Sequence, residues 1–350
     1  MLHKTAIYGA GAFGKLFFQA LDKKIDFFID DFADSSHYED KKIKHLNEVA
    51  KHTKIYISVM QSSGMIKQKL LKLGYTNVLG FTESISDMPE ILRLVAKTNY
   101  LWLVADNTKM VDDAKIATLR ELLKDQKSKK LLDQMVLLRK TLDIKHYIKP
   151  YDKEYFPSDV PILEQLHNIN FVDCGAYTGD MIKDLMQHTS SVKTTISFEP
   201  DLSNLQKLNL ELHRQKELFE HTEFFVYPAG VYDRSTTLRF ANDGIDSSAS
   251  ISDDASVSIQ VVSPDDVLCN VAADYIKMDI EGAEKQALLG ATKTLQKYKP
   301  NLAICLYHKP EDLWELPLLI KQIEPSYDMY LRVHEDMCLS TVLYCISTQR

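Results

Sequence analysis

The sequence predicts an α/β protein built from two consecutive sets of strands and helices, each around a mostly parallel sheet. Hydrophobic runs alternate with helical patterns in both halves of the chain, which is typical of parallel sheets. In each half the first hydrophobic run leads through a glycine-containing turn into a helix, at Thr5–Leu21 and at Ile169–Gln187. A chain of 350 residues is also longer than one core usually supports, so we expect two domains.

The first domain is expected to cover residues 1–85. Its predicted strands are Thr5–Tyr8, Ile25–Ile29, Lys54–Val59 and Asn77–Phe81. Its predicted helices are Phe13–Leu21, a short one at Leu46–Lys51, and Ser63–Leu73. Gly74 directly follows the last helix, in the position where glycine commonly ends a helix.

A helical segment is expected to connect the two domains over residues 86–158. Apolar residues recur at three- to four-residue spacing, which predicts helices at Met88–Ala96, Thr108–Lys124 and Ser128–Thr141. Prolines then indicate an irregular stretch before the second domain.

The second domain is expected to run over residues 159–350, again with alternating strands and helices. The predicted strands are 169–173, 194–199, 223–227, 237–240, 257–262, 274–279, 301–307, 327–333 and 341–346. The predicted helices are 180–188, 202–213, 282–297 and 312–323. The last two strands are too close for a helical crossover, so we expect them to pair antiparallel. The segment Asn242–Asp254 is rich in Ser, Asp and Asn and is expected to be a surface loop or a lid.

Composition and charge are those of an ordinary globular protein, with 45% hydrophobic and 26% charged residues. The net charge of −7 argues against a nucleic-acid surface, because such surfaces are basic. No apolar stretch reaches the ~18 residues of a membrane span, and no signal-peptide pattern precedes the first strand. The five cysteines form no C-x-x-C pair and fit buried free thiols. We therefore expect a cytoplasmic protein.

Polar residues and glycines stand where the first hydrophobic run of the second domain ends, in the segment FVDCGAYTGD. Asp173 closes the predicted strand, and Gly175 and Gly179 flank the turn. Glycine lets the backbone approach a ligand closely because it has no Cβ. The helix that follows offers free N–H groups to a polar ligand. A tight turn without a ligand is the alternative.

Two further segments favour a nucleoside ligand at the same edge of the sheet. Glu199 ends the next strand, where an acid can accept hydrogen bonds from both hydroxyls of a ribose. A solvated acid at a strand end is the alternative. The loop Tyr227–Val231 follows the third strand and is placed to meet an adenine ring, although an ordinary loop fits equally well.

A later predicted strand carries Lys277, Asp279 and Glu281 at alternate positions, so the three side chains are expected on one face. Three charges on a central strand are costly to bury, which favours the mouth of a pocket. An internal ion pair between Lys277 and an acid is the alternative. His308 ends the apolar strand Leu302–Tyr307 and is expected near the same rim, as a general base or as a structural histidine.

The segments FVDCGAYTGD, FEPD, IKMDIEGAEKQALLGA and LYHKPEDLWELPLLI together resemble the FkbM family of S-adenosylmethionine-dependent methyltransferases. The resemblance covers about Tyr155–Ile346 and implies a class I methyltransferase fold, a mostly parallel sheet with an antiparallel C-terminal hairpin. It implies a cofactor pocket formed by Asp173, Gly175, Ala176, Tyr177, Gly179, Glu199, Pro200, Ala229 and Gly230. It also implies substrate-side chemistry near Lys277, Asp279, Glu281 and His308. Members of the family often methylate hydroxyl groups of sugars or polyketides.

The expected reaction is an in-line displacement at the sulfonium methyl group, in which the protein mainly positions the reactants. A hydroxyl acceptor needs a base as it attacks. We expect Asp279 or His308 to take the proton and Lys277 or Glu281 to orient the acceptor. Asp279 and Glu281 also allow a divalent cation, although the motif does not demand one.

The first glycine-containing turn contains Gly9, Gly11 and Gly14, with Asp30 about twenty residues further on. By spacing this is a dinucleotide fingerprint, and it leaves an NAD(P)-linked oxidoreductase as an alternative function. The domain is short, however, and the glycines can equally serve helix–strand packing. The runs IYGAGAFGK and FFIDD also resemble the N-terminal domain of bacterial sugar acyltransferases, which implies a Rossmann-like domain that binds a nucleotide-linked sugar.

The sequence thus favours methylation of a hydroxyl group on a sugar or glycan precursor, with S-adenosylmethionine as cofactor and no nucleic-acid partner. The first domain leaves two alternatives, the oxidoreductase and a nucleotide-sugar-binding enzyme. A non-catalytic binding protein with a vestigial pocket is a further one.

Overall fold

The computed structural model describes residues 4–349 except 61, 152, 165, 190, 243–248 and 252–256. The chain forms two compact units. One comprises the chain up to Val111 together with Asp133–Pro150 and Glu335–Leu339. The other comprises Asp112–Leu132, Tyr151–His334 and the chain from Ser340 onwards. The predicted helical connector is therefore divided between the two units.

The first unit is built on a six-stranded sheet. Its strands are β1 (Thr5–Tyr8), β2 (Phe27–Ile29), β3 (His37–Tyr38), β4 (Lys41–Lys44), β5 (Lys54–Ile57) and β6 (Asn77–Leu79). The strand order is β3-β4-β2-β1-β5-β6, and every pair is parallel except β3 with β4. The parallel sheet was predicted, whereas β3 and β4 were not, because both are short and polar.

Four helices of the first unit alternate with these strands or follow them: α1 (Ala12–Ala20), α2 (Ser63–Lys72), α3 (Phe81–Asp87) and α4 (Ile91–Ala96). The predicted helix at Leu46–Lys51 is a single 3-10 turn at Leu46–Glu48. On α1 the apolar side chains Phe17 and Phe18 are fully buried, and the ring of Phe18 packs edge-on against Phe28 of β2. Aromatic burial thus fixes the helix that follows the first glycine turn.

Two further helices precede the second sheet, α5 (Asp113–Leu122) and α6 (Gln126–Thr141). The carboxylate of Asp112 accepts a hydrogen bond from the N–H of Lys115 and so caps α5. The predicted helix at Thr108–Lys124 is therefore shorter at its start, because the capping acid fixes where the helix begins.

The second unit contains a seven-stranded sheet with the order β16-β17-β15-β14-β7-β8-β9. Its strands are β7 (Ile169–Cys174), β8 (Val192–Phe198), β9 (Glu223–Tyr227), β14 (Tyr275–Met278), β15 (Asn301–Cys305), β16 (Asp328–Val333) and β17 (Thr341–Ile346). The five strands from β15 to β9 are parallel, and β17 pairs antiparallel with both β15 and β16. The structure thus confirms the predicted antiparallel hairpin.

A separate four-stranded sheet lies between β9 and β14 in the sequence. It consists of β10 (Gly230–Val231), β11 (Thr236–Asn242), β12 (Ala249–Ile251) and β13 (Val257–Val262), in the order β10-β13-β11-β12. The sequence predicted β11 and β13 without indicating that they form a sheet of their own. Most of the predicted loop or lid at Asn242–Asp254 lies outside the described residues.

The helices of the second sheet are α7 (Asp180–His188), α8 (Leu202–Leu218), α9 (Pro264–Leu268), α10 (Glu284–Gly290), α11 (Thr292–Tyr298) and α12 (Asp312–Ile323). The helix predicted over 282–297 is in fact two helices, with Ala291 between them. A Cβ on Gly290 would lie 2.1 Å from the carbonyl oxygen of Tyr232, so glycine, a poor helix former, is required at the break. One hydrophobic cluster joins Ile182, Leu185 and Leu208 of the helices to residues of the sheet.

Within the part of the chain that the structure describes, no helix is both long and apolar enough to cross a membrane. Cys174, Cys305, Cys338 and Cys345 are buried free thiols, as predicted, whereas Cys269 is exposed.

Candidate functional site

The glycine turn after β7 brings two strand ends into close contact. Gly175 and Gly179 have φ angles of +85° and +91°, a region that side chains rarely adopt. A Cβ on Gly175 would lie 2.0 Å from the carbonyl oxygen of Asp279. Glycine at this position therefore allows the end of β7 to meet the end of β14. The space that a side chain on Gly175 would need is filled by the backbone just beyond β14.

Asp173 and Lys277 form a buried ion pair across β7 and β14. The two residues are direct partners in the parallel register, and Lys277 Nζ lies 3.2 Å from Asp173 Oδ1. Nζ also donates a hydrogen bond of 2.6 Å to the carbonyl of Gly175. Burial raises the pKa of Asp173, and the charge of Lys277 opposes this rise. Burial would lower the pKa of Lys277, but Asp173 and Asp279 raise it. The internal ion pair, the alternative for Lys277, is therefore the arrangement found.

Glu199 connects the end of β8 to the glycine turn. It follows β8, is buried, and accepts hydrogen bonds from the N–H groups of Tyr177 (2.9 Å) and Asp201 (2.8 Å). Burial raises the pKa of Glu199, and the backbone donors oppose this rise. A carboxylate has about four acceptor positions, so two N–H donors leave capacity for further donors such as ribose hydroxyls.

The other predicted cofactor residues lie along the same strand ends. Ala176 and Ala229 are buried, whereas Tyr177 is 45% exposed with a φ of +48°. A Cβ on Gly230 would lie 3.9 Å from Cγ of Pro200, so the loop after β9 packs beside the end of β8. The fold thus places the predicted cofactor residues on consecutive strand ends.

Asp279 lies just beyond β14 and is held by two tyrosines that the sequence analysis did not assign to the site. Tyr155 donates a hydrogen bond to Asp279 Oδ2 (3.0 Å) and Tyr307 donates one to Oδ1 (3.1 Å). Burial would raise the pKa of Asp279, but the neighbouring His308 and the charge of Lys277 hold it well below the usual range. Tyr155 precedes Asp279 by 124 residues, so no local pattern could have indicated the pair.

His308 is buried among three carboxylates rather than exposed at a rim. Its Nδ1 lies 3.0 Å from Oε1 of Glu284, which is fully buried. Its Nε2 lies 3.3 Å from Asp279 Oδ1 and 3.6 Å from Glu281 Oε2. Burial would lower the pKa of His308, but Glu284 and Asp279 raise it well above the usual value. Glu284 was not predicted, although it belongs to the same segment as Asp279 and Glu281.

Glu281 does not share a strand face with Lys277 and Asp279, because β14 ends at Met278. It occupies a turn with a φ of +55°, followed by Gly282 at +88°. Its side chain is 31% exposed. Burial raises the pKa of Glu281 to about 7. Turn geometry rather than strand alternation therefore brings Glu281 to His308. We call Asp279, Glu281, Glu284 and His308 the carboxylate–histidine cluster.

The glycines of the first unit mostly serve packing. A Cβ on Gly14 would lie 2.1 Å from the carbonyl oxygen of Gly9, whose φ is +98°. Asp30 accepts hydrogen bonds from the N–H groups of Ala10 and Phe32, both at 2.9 Å. Only at Gly11, among these three glycines, would a Cβ meet nothing within 4 Å. The packing explanation thus accounts for Gly9 and Gly14 and not for Gly11.

Comparison with protein families supports the resemblance of the second half of the chain. Residues 173–332 match the family described as the methyltransferase FkbM domain. The matched segment includes every candidate residue of the second unit, from Asp173 to His308. The resemblance of the first unit to sugar acyltransferases is not confirmed.

A solved structure shows the same fold. The chain superposes on the crystal structure of Methyltransferase FkbM from Methylobacillus flagellatus KT with a TM-score of 0.67 and 23% identity, covering 98% of this chain and 89% of that one. A precorrin-6y C5,15-methyltransferase from Geobacter metallireducens GS-15 gives a TM-score of 0.34 and 9% identity, over 57% and 93% of the two chains. Fibrillarin from Aeropyrum pernix, solved with natively bound S-adenosyl-L-methionine, gives 0.32 and 8%, over 55% and 70%. The last two scores are too low to bear on function. No curated protein matches the chain.

Proposed function

We propose that this protein, whose residues 173–332 match the methyltransferase FkbM domain, transfers a methyl group from S-adenosylmethionine to a hydroxyl group. One observation carries the proposal. The matched segment contains the glycine turn, Glu199 and the carboxylate–histidine cluster, and these lie at the ends of parallel strands, where α/β sheets bind ligands.

The residues at the ends of β7 and β8 fit the cofactor. Asp173 is fully buried, and its Oδ2 receives no hydrogen bond from any described residue. A buried acceptor without a donor is costly, and the ammonium group of the cofactor would supply one. Glu199 retains acceptor positions for the ribose hydroxyls. When bound, the cofactor supplies an electrophilic methyl group on a sulfonium centre.

Glu281 is the acid best placed to take the proton from the acceptor hydroxyl. The pKa of Asp279 is held well below the usual range, which makes this carboxylate a weak base, and Lys277 is paired with Asp173. No hydrogen bond to the Glu281 carboxylate is present among the described residues, and this side chain reaches solvent. We therefore propose that Glu281 accepts the proton. Asp279 and His308 hold the side chains around Glu281 in place.

We further propose a sugar or glycan precursor as the acceptor. Its support is the FkbM resemblance, since that family often methylates such hydroxyls, together with the glycine turn of the first unit. Gly11, which packing does not explain, is the residue we assign to binding of a nucleotide-linked sugar. Gly11→Val would then weaken acceptor binding and leave cofactor binding unchanged. Unchanged binding of both ligands in this variant would contradict the role.

Calorimetric titration with S-adenosylhomocysteine tests the central proposal. We expect micromolar binding that is lost in Glu199→Ala. The matched control is Glu223→Ala, which removes an exposed acid at the start of the neighbouring strand β9. Absence of binding in the wild-type protein would overturn the proposal. If NAD binds instead, the active site would move to Gly9–Gly14 and the oxidoreductase alternative would be favoured.

A further inference from the structure

We propose that Asp279, Glu281 and His308 bind one divalent cation of the Mg²⁺ or Mn²⁺ class at the ends of β14 and β15. The binding site follows from the geometry of these side chains alone. Its role in methyl transfer rests on the proposed function.

The first argument is the direction of the side chains. His308 Nε2 lies 3.3 Å from Asp279 Oδ1 and 3.6 Å from Glu281 Oε2, yet neither contact has the geometry of a hydrogen bond. The imidazole is almost completely buried, so no solvent replaces the missing partner. Donor atoms that lie close together without pointing at each other are expected around a shared ion. Neighbouring ligands of an octahedral ion at about 2.1 Å lie about 3 Å apart, close to these distances.

The second argument is the carboxylate on the other side of the ring. Donor atoms of Asp279, Glu284 and His308 all lie within 4.8 Å of one another. Glu284 faces Nδ1 at 3.0 Å, however, and the two ring nitrogens point in different directions. Glu284 therefore does not share the ion bound at Nε2. A carboxylate that faces Nδ1 is the usual partner behind a metal-bound histidine, and a cation at Nε2 would take the place of the proton on that nitrogen.

The Asp279 carboxylate is likewise held by neighbouring side chains. Carboxylates that bind metals are usually hydrogen-bonded as well, and Tyr155 and Tyr307 each donate to this side chain. These two bonds fix the carboxylate plane and keep Oδ1 within 3.3 Å of Nε2 of His308. The ligand set thus has one imidazole and two carboxylates, which suits hard or borderline divalent cations.

The third argument is charge. Asp312 lies close enough to Glu284 and His308 for their charges to act on its carboxyl group, and it adds a fourth acid to the three of the cluster. Lys277, Lys309 and the imidazole of His308 face these four acids and Asp173, so the acids outnumber the cationic side chains. Buried negative charge requires a positive partner, and a divalent cation would supply one.

The cation would hold the acceptor hydroxyl and lower its pKa. The hydroxyl oxygen forms its bond to the methyl carbon as the carbon–sulfur bond breaks, and S-adenosylhomocysteine leaves with the electron pair of that bond. The hydroxyl proton passes to Glu281 Oε1, since Oε2 is the oxygen that faces the metal. From there it reaches solvent.

Titration of the chelator-treated protein with Mn²⁺, followed by the electron paramagnetic resonance signal of the free ion, tests the site. We expect one ion per chain, with affinity at least about tenfold weaker in Glu281→Gln and in His308→Asn. Glu311→Gln, which changes an exposed acid close to the cluster in sequence, should bind like the wild-type protein. Circular dichroism melting establishes that each variant is folded, and Glu281→Gln decides the question if His308→Asn does not fold.

Two results would overturn the inference: no saturable Mn²⁺ binding, or equal affinities in the wild-type protein and Glu281→Gln. Either would mean that the His308 ring is an imidazolium that pairs with the acids. S-adenosylhomocysteine binding is measured on the same samples. Cofactor binding without Mn²⁺ binding contradicts only the metal site, whereas Mn²⁺ binding without cofactor binding contradicts the proposed function.

Discussion

The hydroxyl of Tyr155 donates a hydrogen bond to Asp279 from a backbone held in a left-handed conformation. Tyr155 has a φ of +64°, which is costly for a residue with an aromatic side chain. Its N–H donates to the hydroxyl of Tyr344 (3.0 Å), and its carbonyl accepts from the hydroxyl of Tyr275 (3.1 Å). Two tyrosines of the sheet thus hold a third in the strained position from which it reaches the site.

Tyr155→Phe should therefore slow methyl transfer with little change in cofactor affinity. The variant leaves Asp279 Oδ2 without its donor, and a hydrogen bond to a charged group contributes about 1.5–3 kcal/mol. We expect the transfer rate to fall by roughly tenfold to a hundredfold, measured with the acceptor that the wild-type enzyme uses. Tyr151→Phe, which removes a hydroxyl that lies 3.3 Å from the hydroxyl of Ser158 at the surface, is the control. An unchanged rate would mean that Tyr155 only supports the fold.

Lys277→Met should destabilise the second unit rather than act only on chemistry. It leaves Asp173 buried without a cation, and breaking a buried ion pair costs about 3–5 kcal/mol. We expect the Asp173→Asn/Lys277→Met double variant to recover part of that loss in urea unfolding. Lys193→Met, at an exposed lysine of β8, should be nearly neutral. Additive effects of the two single changes would show that the pair is not coupled.

Two glycines of the first unit should respond differently to alanine. Gly14→Ala pushes a methyl group against the Gly9 carbonyl, and overpacking of this kind costs about 1–3 kcal/mol. Gly11→Ala meets open space at a φ of −71°, so its melting temperature should match that of the wild-type protein. Thermal unfolding followed by circular dichroism compares the two. Similar melting temperatures for both variants would contradict the packing role of Gly14.

Stability should decrease between pH 6.5 and 4 because of His334. Burial and the nearby charge of Arg332 together lower the pKa of His334 to about 4, although the hydrogen bond to the Tyr151 carbonyl opposes this. The unfolded chain binds a proton below pH 6.5 that the folded chain excludes. The contribution of neutral His334 to the free energy of unfolding is therefore complete above pH 6.5, and it is lost as the pH falls towards 4.

The slope due to one such group is at most about 1.4 kcal/mol per pH unit. His334→Gln should show a smaller loss of stability over this range in urea unfolding at a series of pH values. His213→Gln, at an exposed histidine of α8, is the control. Parallel curves for the wild-type protein and His334→Gln would refute the assignment.

The sequence was sufficient to locate Asp173, Glu199 and Asp279, because hydrophobic runs mark parallel strands and the carboxyl ends of such strands meet at one edge. It was not sufficient to identify the side chains that contact them. Tyr155 and Glu284 reach the site through contacts that only the packed chain creates, and Glu281 arrives through a left-handed turn. The hairpin of β3 and β4 was missed because its polar, short strands carry no hydrophobic pattern.

The position of β17 has a consequence for synthesis of the chain. β17 lies between β15 and β16, so each of these earlier strands lacks β17 as a pairing partner until residues 341–346 have been made. During translation the open edge of β15 exposes unpaired N–H and C=O groups on an apolar strand, which is a site for pairing with other chains. The second unit therefore cannot close its sheet before β17 has been made, and the edge of β15 stays open until that strand inserts.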